Sequence, residues 1–193
     1  MLKVRKRRAK VDFNGQQVLP AIKSMKDFEK ILTSNIEYIV MLEVHISQLE
    51  SIMRYARSHF KKVLLHADLI QGLKNDEYST EFLCQKIKPD GLISTRGSVL
   101  KTAKKNGILS IQRLFLLDTI AIDTSYKLAE KVHPDFIEVL PGCVPHLIEK
   151  VHIETGIPVI AGGLITKKEE INSVLAAGAK AVTTSRKDLW SIS

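Results

Sequence analysis

Cysteine is scarce in this chain: Cys84 and Cys143 are the only two among 193 residues. They form no metal-ligand spacing and nothing requires a bridge between them, so reduced thiols are expected. Zinc spacing is missing too, since His66, His133, His146 and His152 are scattered along the chain. No apolar run reaches the roughly 20 residues of a membrane span. The basic N-terminus lacks the apolar core of a signal peptide, so a cytoplasmic protein with no membrane partner is expected. Acids are absent from residues 1–10, which hold Lys3, Arg5, Lys6, Arg7, Arg8 and Lys10. With those six removed from the total of 29 bases, 23 face 21 acids, so the net charge of +8 is mostly one arm. Such a run serves either as a solvated tail or as a contact for nucleic-acid phosphates. No aromatic residue is interleaved in it, so stacking on single-stranded bases would have to come from elsewhere.

What is present is one unit repeated. Short apolar runs predict strands at 18–23, 38–43, 62–69, 89–95, 109–113 and 134–142, with two more inside 156–166 and 179–186. Helical spacing predicts segments at 26–33, 46–59, 80–87, 98–105, 119–132, 144–154, 168–177 and a last turn at 188–190. Ser79 or Thr80 is the expected cap of the third helix and Asp118 that of the fifth. Pro145 suits a first helical turn. Runs apolar throughout, rather than alternating, fit parallel strands covered on both faces. Eight such units predict an α/β fold, a compact (β/α)8 TIM-like barrel, with an open doubly wound sheet as the other arrangement considered. The chain is short for a barrel, which usually takes about 250 residues, so its loops must be lean. Pro20 lacks a donor and is expected at a strand end or a bulge. The domain reading is a basic arm over residues 1–15 and a single barrel over 16–193.

The chemistry of such a barrel sits where its strands end. Strand seven ends in Gly162-Gly163, and strand eight in Thr183-Thr184-Ser185-Arg186. Glycines let backbone N–H groups approach an anion, and the hydroxyls and amides of the next exit can complete a phosphate cup. Other polar groups expected at the mouth include Lys23, Glu43, His66, Asp68, Arg96, Arg113 and Glu138. His66 and Asp68, two apart on a strand, are expected to share a face. The acids fit acid/base catalysis, a magnesium site, hydroxyl binding, or an ion network with Arg96 and Arg113. Lys23 suits a Schiff base or an ion pair.

Several segments in this order resemble the bacterial glycerol-3-phosphate-responsive antiterminators, regulators of glycerol uptake operons. They include Leu19-Pro20-Ala21-Ile22, His66-Ala67-Asp68-Leu69, Gln112-Arg113, Leu140-Pro141-Gly142 and Ala161-Gly162-Gly163-Leu164-Ile165, and they span nearly the whole barrel. The resemblance implies a non-enzymatic TIM-like barrel, with no required cofactor, that senses glycerol 3-phosphate as effector and acts on leader mRNA to prevent termination. It places ligand binding on Asp68, Arg96, Arg113, Glu138, Gly162, Gly163 and Ser185, beside the further mouth residues Lys23, Glu43, His66 and Arg186. Glu43, Ala67 and Gln71 depart from the family's usual pattern and leave room for altered specificity. The RNA surface is expected on Lys3, Arg5, Lys6, Arg7, Arg8 and Lys10, joined by Lys61-Lys62 or Lys104-Lys105. A homodimer placing two arms on one RNA is compatible with this reading. The alternative is an enzyme, such as an aldolase or isomerase, acting on a small phosphate ester.

Overall fold

The structure, a computed structural model, describes residues 12–192. The arm bases Lys3, Arg5, Lys6, Arg7, Arg8 and Lys10 therefore lie outside the described residues. Eight parallel strands close a barrel in sequence order. They are β1 Val18–Ile22, β2 Tyr38–Met41, β3 Lys62–His66, β4 Gly91–Ser94, β5 Leu109–Phe115, β6 Phe136–Leu140, β7 Val159–Gly162 and β8 Ala181–Thr184. β8 returns to pair with β1 through Val18–Val182, Leu19–Thr183 and Pro20–Thr184. The outer ring is α1 Met25–Leu32, α2 Leu49–Ser58, α3 Glu77–Phe82, α4 Gly97–Lys105, α5 Thr119–Val132, α6 Pro145–Thr155 and α7 Lys168–Ala176. α3 widens into a π-turn at Leu83–Ile87, and a 3-10 turn at Lys187–Ile192 stands where an eighth helix would be.

Closure divides the apolar residues into two sets. One set, including Leu19, Val40, Leu64, Ile93, Ile111, Phe136 and Ile160, fills the lumen. The other packs beneath the helices, with Ile52, Met53, Leu65, Leu92, Val139 and Val174 among its members. Phe13, which the sequence reading left in the arm, is 0% exposed and closes the lower end of the lumen. Its ring stands edge-on to Tyr38 at 5.2 Å and tilted against Phe136 at 4.9 Å. Aromatic contacts of this kind add to what burial alone contributes.

Pro20 lies at the lower limit of the β1–β2 ladder, which begins at Ala21–Val40, yet inside the β1–β8 ladder. One step further down the β1–β2 ladder an N–H is needed and proline has none. The Gln16 side chain fills the gap: its Nε2 donates to Tyr38 O (2.8 Å) and Val18 O (2.7 Å). Its Oε1 accepts from Glu37 N (3.0 Å) and Tyr38 N (2.8 Å). One buried amide therefore satisfies both edges, as buried polar groups require.

Side chains start the helices. Ser24 accepts from Asp27 N (3.2 Å) and Asp118 from Ala121 N (2.7 Å). Asp76, not Ser79 or Thr80, caps α3 by accepting from Ser79 N (2.8 Å). Each such cap contributes about 1 kcal/mol. Among the described residues, no helix is long and apolar enough to cross a membrane. Cys84 and Cys143 are free thiols.

Candidate functional site

A cavity of about 290 Å3 opens at the C-terminal mouth, over the exits of β1, β2, β7 and β8. Lys23, Glu43, Arg113, Glu138, Gly163 and Ser185 line it, together with Thr183 and Thr184. Its apolar walls are Ala21, Val40, Leu42, Leu69, Leu140, Leu164 and Ile165. This volume lies at the small end of ligand pockets and suits a compact polar molecule.

The centre of the site is an ion pair. Arg113 on β5 and Glu138 on β6 are register partners. Arg113 Nε and Nη2 both donate to Glu138 Oε2 at 2.8 Å. Glu138 Oε1 accepts from Thr183 Oγ1 at 2.7 Å. The Glu138 side chain is 1% exposed and that of Arg113 is 13%. Both carboxylate oxygens are thus engaged, and Glu138 holds the guanidinium rather than offering an open acceptor. Of the readings open at the sequence level, this pair realises the ion network, with Arg113 and not Arg96 as the cation.

The two glycines have different reasons to be glycine. A Cβ on Gly162 would sit 2.5 Å from Thr183 Oγ1 and 2.9 Å from Glu138 Oε1. Gly162 is therefore required by the network beneath it and does not line the cavity. Gly163 does line it, with φ +74, in the left-handed region that favours glycine. Leu164 follows at φ +58, a costly conformation for a side-chain-bearing residue, and is 72% exposed. Nothing but its place after two glycines marks Leu164 in the sequence. Gly142 N–H donates to Gly162 O (2.5 Å) and Gly163 O (3.1 Å), tying the β6 exit to the β7 exit. The β8 exit is held by Trp190 Nε1 donating to Thr184 O (2.9 Å). Among the described residues, none accepts a hydrogen bond from the backbone N–H of Gly163, Leu164 or Ser185.

The remaining expected residues lie off the cavity. β3 ends at His66 and residues 67–69 form a 3-10 turn, so the face that His66 and Asp68 were expected to share does not form. Asp68 turns to the β4 exit, where Oδ1 accepts from Ser94 Oγ (2.5 Å) and Oδ2 from Thr95 N (2.7 Å) and Thr95 Oγ1 (2.9 Å). His66 is 2% exposed, and among the described residues neither ring nitrogen has a hydrogen-bond partner. Burial, then the nearby Arg113 charge, pushes its pKa down to about 4, so it is neutral at physiological pH. Arg96 is exposed at the N-cap of α4, its N–H donating to Ser94 Oγ (3.0 Å). Arg186 is exposed and forms a two-point pair with Asp188 at 3.0 Å. Among the described residues, no group of three or more His, Cys, Asp or Glu could hold a metal. Of the acids in the magnesium reading, Asp68 and Glu138 accept hydrogen bonds within the protein and Glu43 lines the cavity.

Three of the lysines expected on an RNA surface serve the fold. Lys61 Nζ donates to Ser34 O (2.5 Å) and Ile36 O (2.6 Å) from a buried position. Lys62 pairs with Glu37 at 2.7 Å. Lys104 Nζ donates to the carbonyls of Val132 and His133, the last residue of α5 and the one that follows it.

A closed eight-stranded parallel barrel with a small cavity at the C-terminal ends of its strands is a protein of the TIM-barrel class. Within that class the assignment is specific. The family model described as glycerol-3-phosphate responsive antiterminator matches residues 18–190, and the chain belongs to this family. It is 50% identical to the solved glycerol uptake operon antiterminator regulatory protein of Listeria monocytogenes, with a TM-score of 0.92, covering 94% of this chain and 98% of that one. A glycerol uptake operon antiterminator-related protein of Thermotoga maritima is 30% identical with a TM-score of 0.80, covering 91% and 98%. The uncharacterised Escherichia coli protein YgcP is 32% identical over 175 residues, which is 91% of this chain and 92% of that one.

Proposed function

We propose that this protein is a cytoplasmic glycerol 3-phosphate sensor whose ligand-bound form binds the leader mRNA of glycerol-utilisation genes and prevents termination there. The observation that carries the reading is the β7–β8 exit: three backbone N–H groups with no acceptor among the described residues, beside a cavity that also receives Arg113 and Lys23. The phosphate sits against Gly163, Leu164 and Ser185, where amides and cations favour a dianion. Glu138 positions Arg113, and Gly162 keeps the space above Glu138 clear. Glu43, on the opposite rim, accepts from the glycerol hydroxyls. Asp68 and Arg96 shape the β3 and β4 exits rather than touching the ligand.

A sensor fits this arrangement better than an enzyme of phosphate esters. A general acid or base must reach the reacting atoms, and Asp68 and His66 are not on the cavity wall, while Glu138 is consumed by Arg113 and Thr183, which leaves an enzyme only Lys23 and Glu43. Turnover of a triose or glycerol phosphate by the purified protein would reverse this preference. Ligand raises RNA affinity only by binding the RNA-competent state more tightly, and couplings of this kind are worth about 5- to 150-fold. The test is a leader-RNA titration of the wild type with and without glycerol 3-phosphate, repeated with Gly163→Asp. Ligand is expected to tighten RNA binding in the wild type alone. Equal affinity in all four cases would remove the gating.

A further inference from the structure

The end of the barrel opposite the cavity carries an exposed aromatic ring among cations. Phe60, the second residue after α2, is 88% exposed and sits at φ +57. Its N–H donates to Arg57 O at 3.1 Å. Arg57 Nη2 in turn donates to Ile87 O (2.7 Å) and Lys88 O (2.8 Å), which holds the end of α2 against the end of the π-turn. Lys88 is itself left-handed, at φ +54. The corresponding left-handed positions after α4, α6 and α7 are Gly107, Gly156 and Gly178, and after α5 it is His133. A bulky residue in this conformation is strained, and an exposed phenyl ring recovers nothing by burial. The acids nearby are engaged: Glu37 by Lys62 and Asn14, and Asp90 by the Val63 N–H (2.9 Å). Those bonds leave both carboxylate charges in place, so the local balance is Arg57, Lys61, Lys62 and Lys88 against Glu37 and Asp90, a positive excess around a free ring face. The described chain also begins at this end, where Asn14 bonds Glu37.

We propose that Phe60 stacks on a base of single-stranded RNA, with Arg57 and Lys88 holding the flanking phosphates. The proposal rests on the RNA-binding reading above and supplies the stacking group that the basic residues between Lys3 and Lys10 lack. Ring faces and cations in alternation are the chemistry that holds unpaired nucleotides, whichever bases they carry. A protein partner would call for a broader apolar area than one ring set among charges.

The test uses the full chain and two labelled probes of about 12 nucleotides, within the usual span of one single-strand site. One is oligoadenylate; the other is an abasic ribose-phosphate strand of the same length. Phe60→Ala is expected to weaken oligoadenylate binding about 5- to 100-fold while leaving the abasic strand unchanged, and Phe60→Trp is expected to restore it. Lys88→Gln is expected to flatten the salt dependence by about one phosphate contact. Equal oligoadenylate binding by wild type and Phe60→Ala would overturn the site while leaving RNA binding intact. Loss of self-association in Phe60→Ala, with RNA binding unchanged, would assign the ring to a protein contact and also overturn it. A wild type that binds neither these strands nor leader RNA would instead remove the RNA reading itself.

Discussion

Both ends of this barrel hold left-handed backbone, in glycines and in side-chain-bearing residues alike, but in different surroundings. At the mouth, Gly163 sits at φ +74 on the cavity wall and Gly162 leaves room for the Glu138–Thr183 bond. At the base, Phe60 and Lys88 take the same region of backbone space with full side chains, and Phe60 is 88% exposed. The mouth is also where polar groups are buried and paired, with Glu138 at 1% and Arg113 at 13% side-chain exposure. At the base Lys61 is buried and paired as well, but the Phe60 ring, Arg57 and Lys88 stand in solvent. An internal network dictates residue identity at the mouth, whereas nothing inside the protein dictates Phe60. A residue that costs stability and packs on nothing is best explained by what it meets outside.

The largest test of this contrast is at the mouth. Glu138→Ala strands the Arg113 charge in a poorly hydrated place and is expected to cost about 3–5 kcal/mol in urea denaturation, with loss of ligand binding. The paired change Arg113→Met with Glu138→Leu is expected to recover most of that stability and none of the binding. Stability that stayed at the wild-type level in Glu138→Ala would show that the pair is not a structural centre.

A smaller effect comes from His66, just below the mouth. Its folded pKa of about 4 lies below the unfolded value near 6.5, so the unfolded chain takes up the proton first. The contribution of neutral His66 is complete above about pH 6.5 and is lost as pH falls toward 4. At about 1.4 kcal/mol per pH unit this amounts to about 3 kcal/mol. The stability difference between wild type and His66→Leu, followed from pH 7 to pH 4, is expected to change by that amount against the wild type. A difference independent of pH would mean that His66 is solvated or partnered.

The smallest effect is at the base. Phe60→Gly is expected to raise stability by about 0.5–1 kcal/mol, because it relieves the left-handed strain and forfeits little buried surface. Gly156→Phe, where a Cβ meets nothing within 4 Å, should lower it by about 1–2 kcal/mol through the backbone alone. Were Phe60→Gly destabilising, the ring would be packing on the protein after all, and the contrast between the two ends would fail.

Much of the fold is legible along the chain because burial on both faces leaves apolar runs with clear ends. The fifth helix, Thr119–Val132, and its Asp118 cap are read to the residue. Asp68 is misplaced because a side-chain alternation argument assumes that the strand continues, and a 3-10 turn replaces it after His66. Phe13 and Gln16 are silent in the sequence, since neither lies in a periodic run. Their roles exist only once the lower lumen and the Tyr38 edge are beside them. The Gly162-Gly163 pair is conspicuous in sequence, but which glycine faces the ligand depends on Thr183 and Glu138, contributed by two other strands.

The order of amino acids alone settled the number of strand–helix units, their approximate limits, the family and the end of the barrel that carries the cavity. These follow from local periodicity and from short motifs whose members are neighbours in the chain. Only closure of the barrel decided that Glu138 would grip Arg113 and Thr183, that Asp68 would turn to the next strand's exit, and that Arg57 would bring Lys88 beside Phe60. Those outcomes depend on the register between strands and the docking of helix ends, and groups some 25 to 45 residues apart meet only when the ring is shut.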